Sequence, residues 1–153
     1  MSIFSKIIAG EIPSYKIAES EMFYAFLDIA PLQKGHTLVV PKIEIDKVFD
    51  LPTNYLAEML VFAQPIAKAI ETSFPCNRIS MVTVGLEVPH AHLHLIPINV
   101  AKDIDFANPK FISRSIIVTD LKPVTVLIYS LTFCTPSLAL SFLGPSEKII
   151  KSL

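Results

Sequence analysis

Three histidines at alternate positions constrain the fold of this chain more tightly than any other feature of its sequence. They are His90, His92 and His94, and each is followed by an apolar residue. Successive side chains of a β-strand point to opposite faces, so a strand would hold the imidazoles on one face and the apolar row on the other. The pattern therefore predicts a strand over residues 89–98 with its apolar face in a core.

The row of imidazoles also indicates a functional site. Imidazole changes charge near neutral pH, ligates metals and can act as a nucleophile. Clustered titratable groups favour functional sites, although a hydrogen-bonded structural row and a metal site are two alternatives. Glu87 is the one acid close in sequence, and Cys76 and Cys134 form no Cys-x-x-Cys pair. Because a metal centre usually needs such further ligands, we expect neither a metal nor another cofactor.

The remaining pattern predicts one α+β domain. Ser2 can cap a short helix through Ile8, with Gly10 as its left-handed stop. A main helix is predicted over residues 51–74, where apolar residues recur every three or four positions. The recurring residues are Leu56, Met59, Leu60, Ala63, Ala67 and Ile70.

Strands are predicted over residues 15–18, 22–28, 37–41, 79–84 and 89–98. They lack the alternating helix–strand order of a parallel sheet, so the connections are expected to be hairpin-like. The expected fold is a five-stranded antiparallel sheet with one main helix and a short amino-terminal helix.

Four further features of the sequence are short blocks, namely IFSKIIAGEIP at 3–13, FLDIAP at 26–31, GHTLVVPK at 35–42 and HAHLHLIP at 90–97. In content and order they resemble the blocks of the histidine-triad (HIT) superfamily of nucleotide hydrolases and transferases. One short histidine pattern is weakly specific, whereas four ordered blocks make a strong resemblance. The chain therefore resembles the Hint-like branch of HIT proteins. The resemblance implies the same α+β fold, paired with a second copy into one continuous sheet.

The resemblance also implies a reaction, namely attack on the α-phosphorus of a purine nucleotide such as an AMP or GMP derivative. The middle histidine of the triad is the family's nucleophile, which assigns that role to His92 and implies a covalent nucleotidyl-histidine intermediate. Neutral imidazole suits this work because it attacks phosphorus without a partner base and then leaves readily. His90 and His94 are expected to donate hydrogen bonds to phosphate oxygens. His36 matches the family's fourth histidine, which supports the triad, or is alternatively a buried strand residue.

Further positions match the family's nucleotide contacts. Asp28 is the candidate ligand of the ribose hydroxyls, because a carboxylate can accept from both of them. It could instead cap the turn toward Pro31. The residues that match the wall of the base pocket are Phe4, Ile7, Ile29 and Leu38. Each of these four could equally be an ordinary core residue.

The run before the triad departs from the family pattern. Many relatives carry Gly-Gln-[Ser/Thr]-Val-x-His, in which the hydroxyl helps to protonate the leaving group, whereas this chain has GLEVPH at 85–90. Glu87 could take that role if burial raised its pKa, but as an ionised carboxylate it would repel phosphate. Leu86 and Glu87 therefore leave the identity of the leaving group and the rate open.

These observations favour a hydrolase acting on purine nucleoside phosphoramidates or adenylates. Two alternatives stay open: hydrolysis of dinucleoside polyphosphates, and a nucleotide-binding regulatory protein with negligible turnover. A net charge of −1 gives no reason to expect a nucleic acid or an anionic membrane as partner. The expected partners are the nucleotide and a second copy of the chain. The amino-terminal sequence and the two distant cysteines fit a cytoplasmic location.

The sequence changes character after Lys110. Residues 1–110 are expected to form the HIT-like catalytic domain, and residues 111–153 an apolar, Ser/Thr-rich tail that is not a separate domain. No charged residue lies between Lys122 and Glu147, a stretch long enough to span a bilayer. The tail is therefore a membrane anchor, an extension packed on the domain, or a non-native reading frame. Its many hydroxyls and Pro136 suit a lipid-facing helix poorly, which favours the second and third interpretations.

Overall fold

The computed structural model describes residues 1–109. The tail predicted at 111–153, and with it the membrane-anchor hypothesis, lies outside the described residues. Within residues 1–109, no helix combines the length and the apolar character needed to cross a membrane.

Two α-helices and one sheet make up the described fold. The helices are α1 (Ile3–Ile8) and α2 (Thr53–Ser73). The strands are β1 (Lys16–Glu19), β2 (Phe23–Leu27), β3 (Thr37–Pro41), β4 (Arg78–Val82) and β5 (Leu93–Ile98). The sheet has five strands in the order β1-β2-β3-β5-β4, and all neighbours are antiparallel. The predicted α+β class and antiparallel sheet are confirmed.

The short helix α1 begins and ends as the sequence predicts. The Ser2 hydroxyl accepts a hydrogen bond from the Ser5 backbone N–H at 3.1 Å, which caps the first turn. Gly10 lies just beyond the last turn with a φ of +79°, a left-handed conformation that suits glycine.

The long helix α2 covers one face of the sheet and forms the larger core with it. Its buried residues are Met59, Phe62, Ala63, Ile66, Ala69 and Ile70. They pack with inward-facing strand residues such as Ala25, Val39 and Leu95. Leu60, which the sequence placed in the packed stripe, is 51% exposed. Leu60 lies about 100° around the helix from the buried Met59, outside the packed face, whereas Ala67 is partly buried against the core.

The helix α1 covers the opposite face of the sheet. Phe4 and Ile7 pack there with Tyr24, Phe26, Leu38 and Val40 in a second buried cluster. Because both faces are covered, all the residues of β2 and β3 are buried.

The strand β5 is shorter than the sequence predicts. It begins at Leu93, which pairs with Val39 of β3, rather than at residue 89. Before this point the backbone bonds to loops instead, because the Ala91 N–H donates to the Ile45 carbonyl at 2.6 Å. The predicted alternation still holds, since Ala91 and Leu93 are buried in the α2 core while the histidines lie on the α1 side.

Candidate active site

Four histidines converge on the α1 face of the sheet. His94 lies on β5, His90 and His92 precede that strand, and His36 ends the loop before β3. Their side chains are buried, with exposed fractions from 0% for His90 to 7% for His94. In such surroundings the proton on each ring is set by the hydrogen bonds that its nitrogens make.

His92 presents an unprotonated nitrogen. Its Nδ1 lies 2.6 Å from the backbone carbonyl of His90, and a carbonyl can only accept, so Nδ1 carries the proton and donates it. Burial lowers the pKa of His92, which keeps the ring neutral at neutral pH. The lone pair is therefore on Nε2, where a nucleophile needs it.

His36 and His94 form a directional pair. The Leu32 backbone N–H donates to Nδ1 of His36 at 3.1 Å, so in the neutral ring Nε2 carries the proton. That Nε2 lies 2.9 Å from Nδ1 of His94 and donates to it. The remaining proton of His94 must then be on its own Nε2. Burial lowers the pKa of His36 to about 4 and that of His94 to about 3, which keeps both rings neutral.

The rings of His92 and His94 lie edge to face with centroids 4.9 Å apart. A nitrogen lone pair and a nitrogen-bound proton are thus held on adjacent rings. Such a pair can attack an electrophilic centre and donate to an oxygen bound to that centre.

His90 was expected to donate a hydrogen bond to a phosphate oxygen, but its ring bonds to other groups of the protein. Its Nε2 donates to the Pro41 carbonyl at 2.9 Å, and its Nδ1 accepts from the Ser2 hydroxyl at 2.6 Å. The side chain is fully buried. Both ring nitrogens are therefore engaged, and in this arrangement His90 has no proton to offer a phosphate oxygen.

Asp28 follows β2 and lies beside the histidines. One carboxylate oxygen accepts from the Ala30 backbone N–H at 2.9 Å, the turn-capping contact that was the alternative to ribose binding. The other oxygen lies 3.7 Å from Nδ1 of His36. The carboxylate therefore holds its turn and still faces the histidine pair.

Three of the four base-wall candidates come together. Phe4, Ile7 and Leu38 share the buried α1 cluster, and the Phe4 ring lies edge-on to His92 with centroids 5.1 Å apart. Ile29 is 72% exposed, in the loop after β2. Phe26, which the sequence did not single out, packs in the same cluster, with its ring centroid 5.7 Å from that of Phe4.

Glu87 is exposed, and the neighbouring Leu86 is 88% exposed. The proton-donor role considered for Glu87 required burial, and this structure does not bury it. No residue of the 85–90 run other than His90 is fully enclosed.

One group of side chains carries the donor atoms that a metal site would need. Asp28, His36 and His94 can bring one ligand atom each within 4.8 Å of one another. Both nitrogens of His36 are already hydrogen-bonded, to the Leu32 N–H and to His94. A metal ion would have to break the directional pair, so these residues do not fit one in their present arrangement.

Phe106 lies against the histidine cluster, and sequence reasoning missed it. Its ring lies edge-on to His94 with centroids 5.0 Å apart, and it is 39% exposed. The preceding 3₁₀ turn (Ala101–Asp103) is tied to the loop before His36, because Gln33 Nε2 donates to an Asp103 carboxylate oxygen at 2.9 Å. A single phenylalanine beyond the last sequence block carries no pattern that would have revealed it.

Comparison with known proteins gives a consistent result. The HIT domain family model matches residues 9–100. The chain is 41% identical over 96 residues to an adenosine 5′-monophosphoramidase of Saccharomyces cerevisiae, a match that covers 62% of this chain and 61% of the yeast protein. It is 45% identical over 101 residues to the protein named hit of Bacillus subtilis, covering 62% of this chain and 69% of that protein.

A solved structure shows the same architecture. The HIT-like protein of Bartonella henselae, described as involved in cell-cycle regulation, superposes with a TM-score of 0.71 at 30% sequence identity. The superposition covers 82% of this chain and 95% of that chain.

Proposed function

Because this chain belongs to the HIT family, we propose that it hydrolyses purine nucleotides at the α-phosphorus, with adenosine 5′-phosphoramidates as favoured substrates. The similarity to a yeast adenosine 5′-monophosphoramidase supports this choice of substrate.

One observation carries the proposal. The hydrogen bond from His92 Nδ1 to the His90 carbonyl leaves the lone pair on Nε2, next to a His94 ring that keeps a proton on its Nε2. A neutral nitrogen nucleophile beside a neutral donor fits attack on a phosphate, where charge grows on the non-bridging oxygens.

The proposed reaction has two displacements at phosphorus. In the first, His92 Nε2 bonds to the α-phosphorus while the bond to the substrate nitrogen breaks, and the departing amine takes up a proton from water. In the second, water attacks the nucleotidyl-histidine and releases one proton to the solvent, the new phosphorus–nitrogen bond breaks and the nucleoside monophosphate leaves. His92 is restored with its lone pair, and His94 donates to a phosphate oxygen in both steps.

The nucleotide is held by the surrounding side chains. Asp28 accepts from the ribose hydroxyls through the oxygen that does not cap the turn. Phe4, Ile7 and Leu38 form the wall of the base pocket on the α1 side, and the exposed Ile29, in the loop after β2, adds to this wall. Phe106 lies beside His94 and so borders the phosphate end of the site.

The direct test is hydrolysis of adenosine 5′-phosphoramidate by the full-length chain and its His92→Ala variant. We expect the substitution to lower kcat by several orders of magnitude, because loss of the nucleophile removes the intermediate. Binding of AMP, measured by calorimetry, should persist and serves as the control for a folded site. Residual activity above about a tenth of the original would contradict the assignment.

A further inference from the structure

Three side chains near the start of α1 and after β3 form a hydrogen-bonded cluster against His90. Glu44 accepts from the Ser2 backbone N–H at 2.9 Å and from the Ser5 hydroxyl. The Ser2 hydroxyl in turn accepts from the Ser5 N–H at 3.1 Å. We call Ser2, Ser5 and Glu44 the amino-terminal latch.

The direction of each hydrogen bond follows from groups that can only accept. The Ser5 proton goes to Glu44, because a carboxylate has none to give. The Pro41 carbonyl accepts the Nε2 proton of His90, so in the neutral ring the Nδ1 of His90 accepts. Its donor is the Ser2 hydroxyl at 2.6 Å. The latch therefore ends in a hydrogen bond to the His90 ring.

The charge state of Glu44 keeps this arrangement in place. Hydrogen bonds from the Ser5 hydroxyl and from the Ser2 backbone lower the pKa of Glu44 to about 2. The carboxylate thus stays an acceptor at neutral and mildly acidic pH, and both serine hydroxyls keep their orientation.

His90 connects the latch to the nucleophile. Its ring is completely buried and is bonded at both nitrogens, so the position of its backbone is tied to Ser2 and Pro41. Its carbonyl is the group that accepts the Nδ1 proton of His92 at 2.6 Å. We propose that the amino-terminal latch positions the nucleophilic imidazole of His92, through the main chain of His90. This inference rests on the proposed role of His92.

A simpler role for the latch makes a different prediction. If it only held α1 against the sheet, its loss would loosen Phe4 and Ile7, which pack in the base wall. That would weaken nucleotide binding and raise KM. Loss of a positioning contact to the nucleophile instead lowers kcat and leaves KM nearly unchanged.

The test compares three full-length variants in hydrolysis of adenosine 5′-phosphoramidate. Ser2→Ala should lower kcat about tenfold, because a buried acceptor loses its donor, with KM within about twofold. Ser2→Thr keeps the hydroxyl and should restore most of the loss. Lys6→Gly weakens α1 from its exposed side and should leave kcat unchanged. If Ser2→Ala and Lys6→Gly lowered kcat equally, or if Ser2→Ala raised only KM, the proposed positioning role of the latch would be wrong.

A second measurement separates this inference from the proposed function. The ¹⁵N shifts of the His92 ring report which nitrogen carries the proton, whether or not the ring is a nucleophile. We expect a single Nδ1–H form in the unaltered chain and a mixture of forms in Ser2→Ala. Unchanged shifts would refute the latch even if His92 is essential. An active His92→Ala enzyme would refute the proposed function while leaving the shifts to decide on the latch.

A milder variant covers the case in which Ser2→Ala does not fold. Glu44 is exposed, so Glu44→Gln should be tolerated while weakening the charge-assisted bonds to Ser2 and Ser5. We expect kcat to fall by about two- to fivefold, with the same change in the His92 shifts. A folded Glu44→Gln enzyme with the original kcat and shifts would refute the latch.

Discussion

The two nitrogens of an imidazole are no longer equivalent once one of them is hydrogen-bonded, and this asymmetry gives different tasks to histidines that look alike in sequence. His92 and His90 are two residues apart, yet one keeps a lone pair facing the site and the other has both nitrogens engaged. The partners that cause this difference are the backbone carbonyl of His90 for His92, and the Pro41 carbonyl and the Ser2 hydroxyl for His90.

At the scale of single residues, we expect His36 to act by keeping the proton of His94 on its Nε2. Removing its donor in His36→Ala would let the His94 proton move to Nδ1, and kcat should fall by about tenfold or more. His36→Gln can place an amide N–H near the position of the imidazole Nε2–H and should lose less. Steady-state kinetics of the two variants decide the point, and equal losses would show that the donated hydrogen bond is unimportant.

The sequence was enough to identify the histidines, but it did not show which nitrogen of each ring would donate and which would accept. Alternation with apolar residues placed His90, His92 and His94 on one side of the chain, as the structure shows. Which nitrogen bears a proton depends on backbone carbonyls and amides contributed by distant loops, and such groups carry no residue signature. For the same reason the engaged state of His90 could not be predicted.

At the scale of elements, the sequence predicts the ends of a strand well where the adjacent strands of the sheet pair with it along its whole length. The strand β3 runs over Thr37–Pro41 as predicted, since β2 pairs with it along its whole length. The strand β5 starts later than predicted because pairing with β3 stops at Leu93, although the alternating pattern continues. Periodicity reports which side chains are buried, and it does not report where a partner strand ends.

The turn between β2 and β3 depends on Gly35, which precedes His36. Its φ is +83°, and a Cβ at this position would lie 2.5 Å from the Phe74 ring at the end of α2. We expect Gly35→Ala to lower the free energy of unfolding by about 1–3 kcal/mol more than the control Gly10→Ala, because overpacking adds to the backbone strain. Gly10 has a similar φ of +79° with nothing within 4 Å of its Cβ.

Urea denaturation of the two glycine variants provides the comparison. Both carry the cost of a left-handed alanine, so the difference between them isolates the contact with Phe74. Equal destabilisation would mean that the Phe74 ring simply moves aside.

At the scale of the whole molecule, we propose that two copies of the chain form a two-fold homodimer. The strand β4 lies at one end of the sheet, where Met81 is 53% exposed. On α2, Leu60 and Val61 are exposed by 51% and 49%. An edge strand with apolar neighbours is a surface that association can cover.

Light scattering at tens of micromolar tests the dimer. We expect a dimer mass for the unaltered chain and for Phe49→Lys, a control at a residue that is 84% exposed and precedes α2 in the sequence. Met81→Lys should shift the equilibrium toward monomers, because it adds a charge to the proposed interface. A monomeric unaltered chain would exclude the dimer, and a dimeric Met81→Lys would place the interface on another surface.

The last prediction concerns residues 111–153. Within the described residues, each of the four histidines has its hydrogen-bond partners, and the sheet is complete with β5 and β4 in place. The sequence after Lys110 adds no histidine and, as acids, only Asp120 and Glu147. The proposed chemistry therefore needs nothing from the tail, and a chain ending at Lys110 should keep its kcat/KM.

Truncation should also raise solubility, since a long uncharged apolar stretch without a regular period exposes patches wherever it is not packed. The anchor hypothesis predicts instead that the full-length chain partitions into membranes and the truncated chain does not, which fractionation of cells expressing each form would reveal. If the truncated chain stayed folded but lost activity, the tail would have to reach the histidines. In that case the catalytic unit would extend beyond residue 110, and the four histidines with their described partners would not suffice for the reaction.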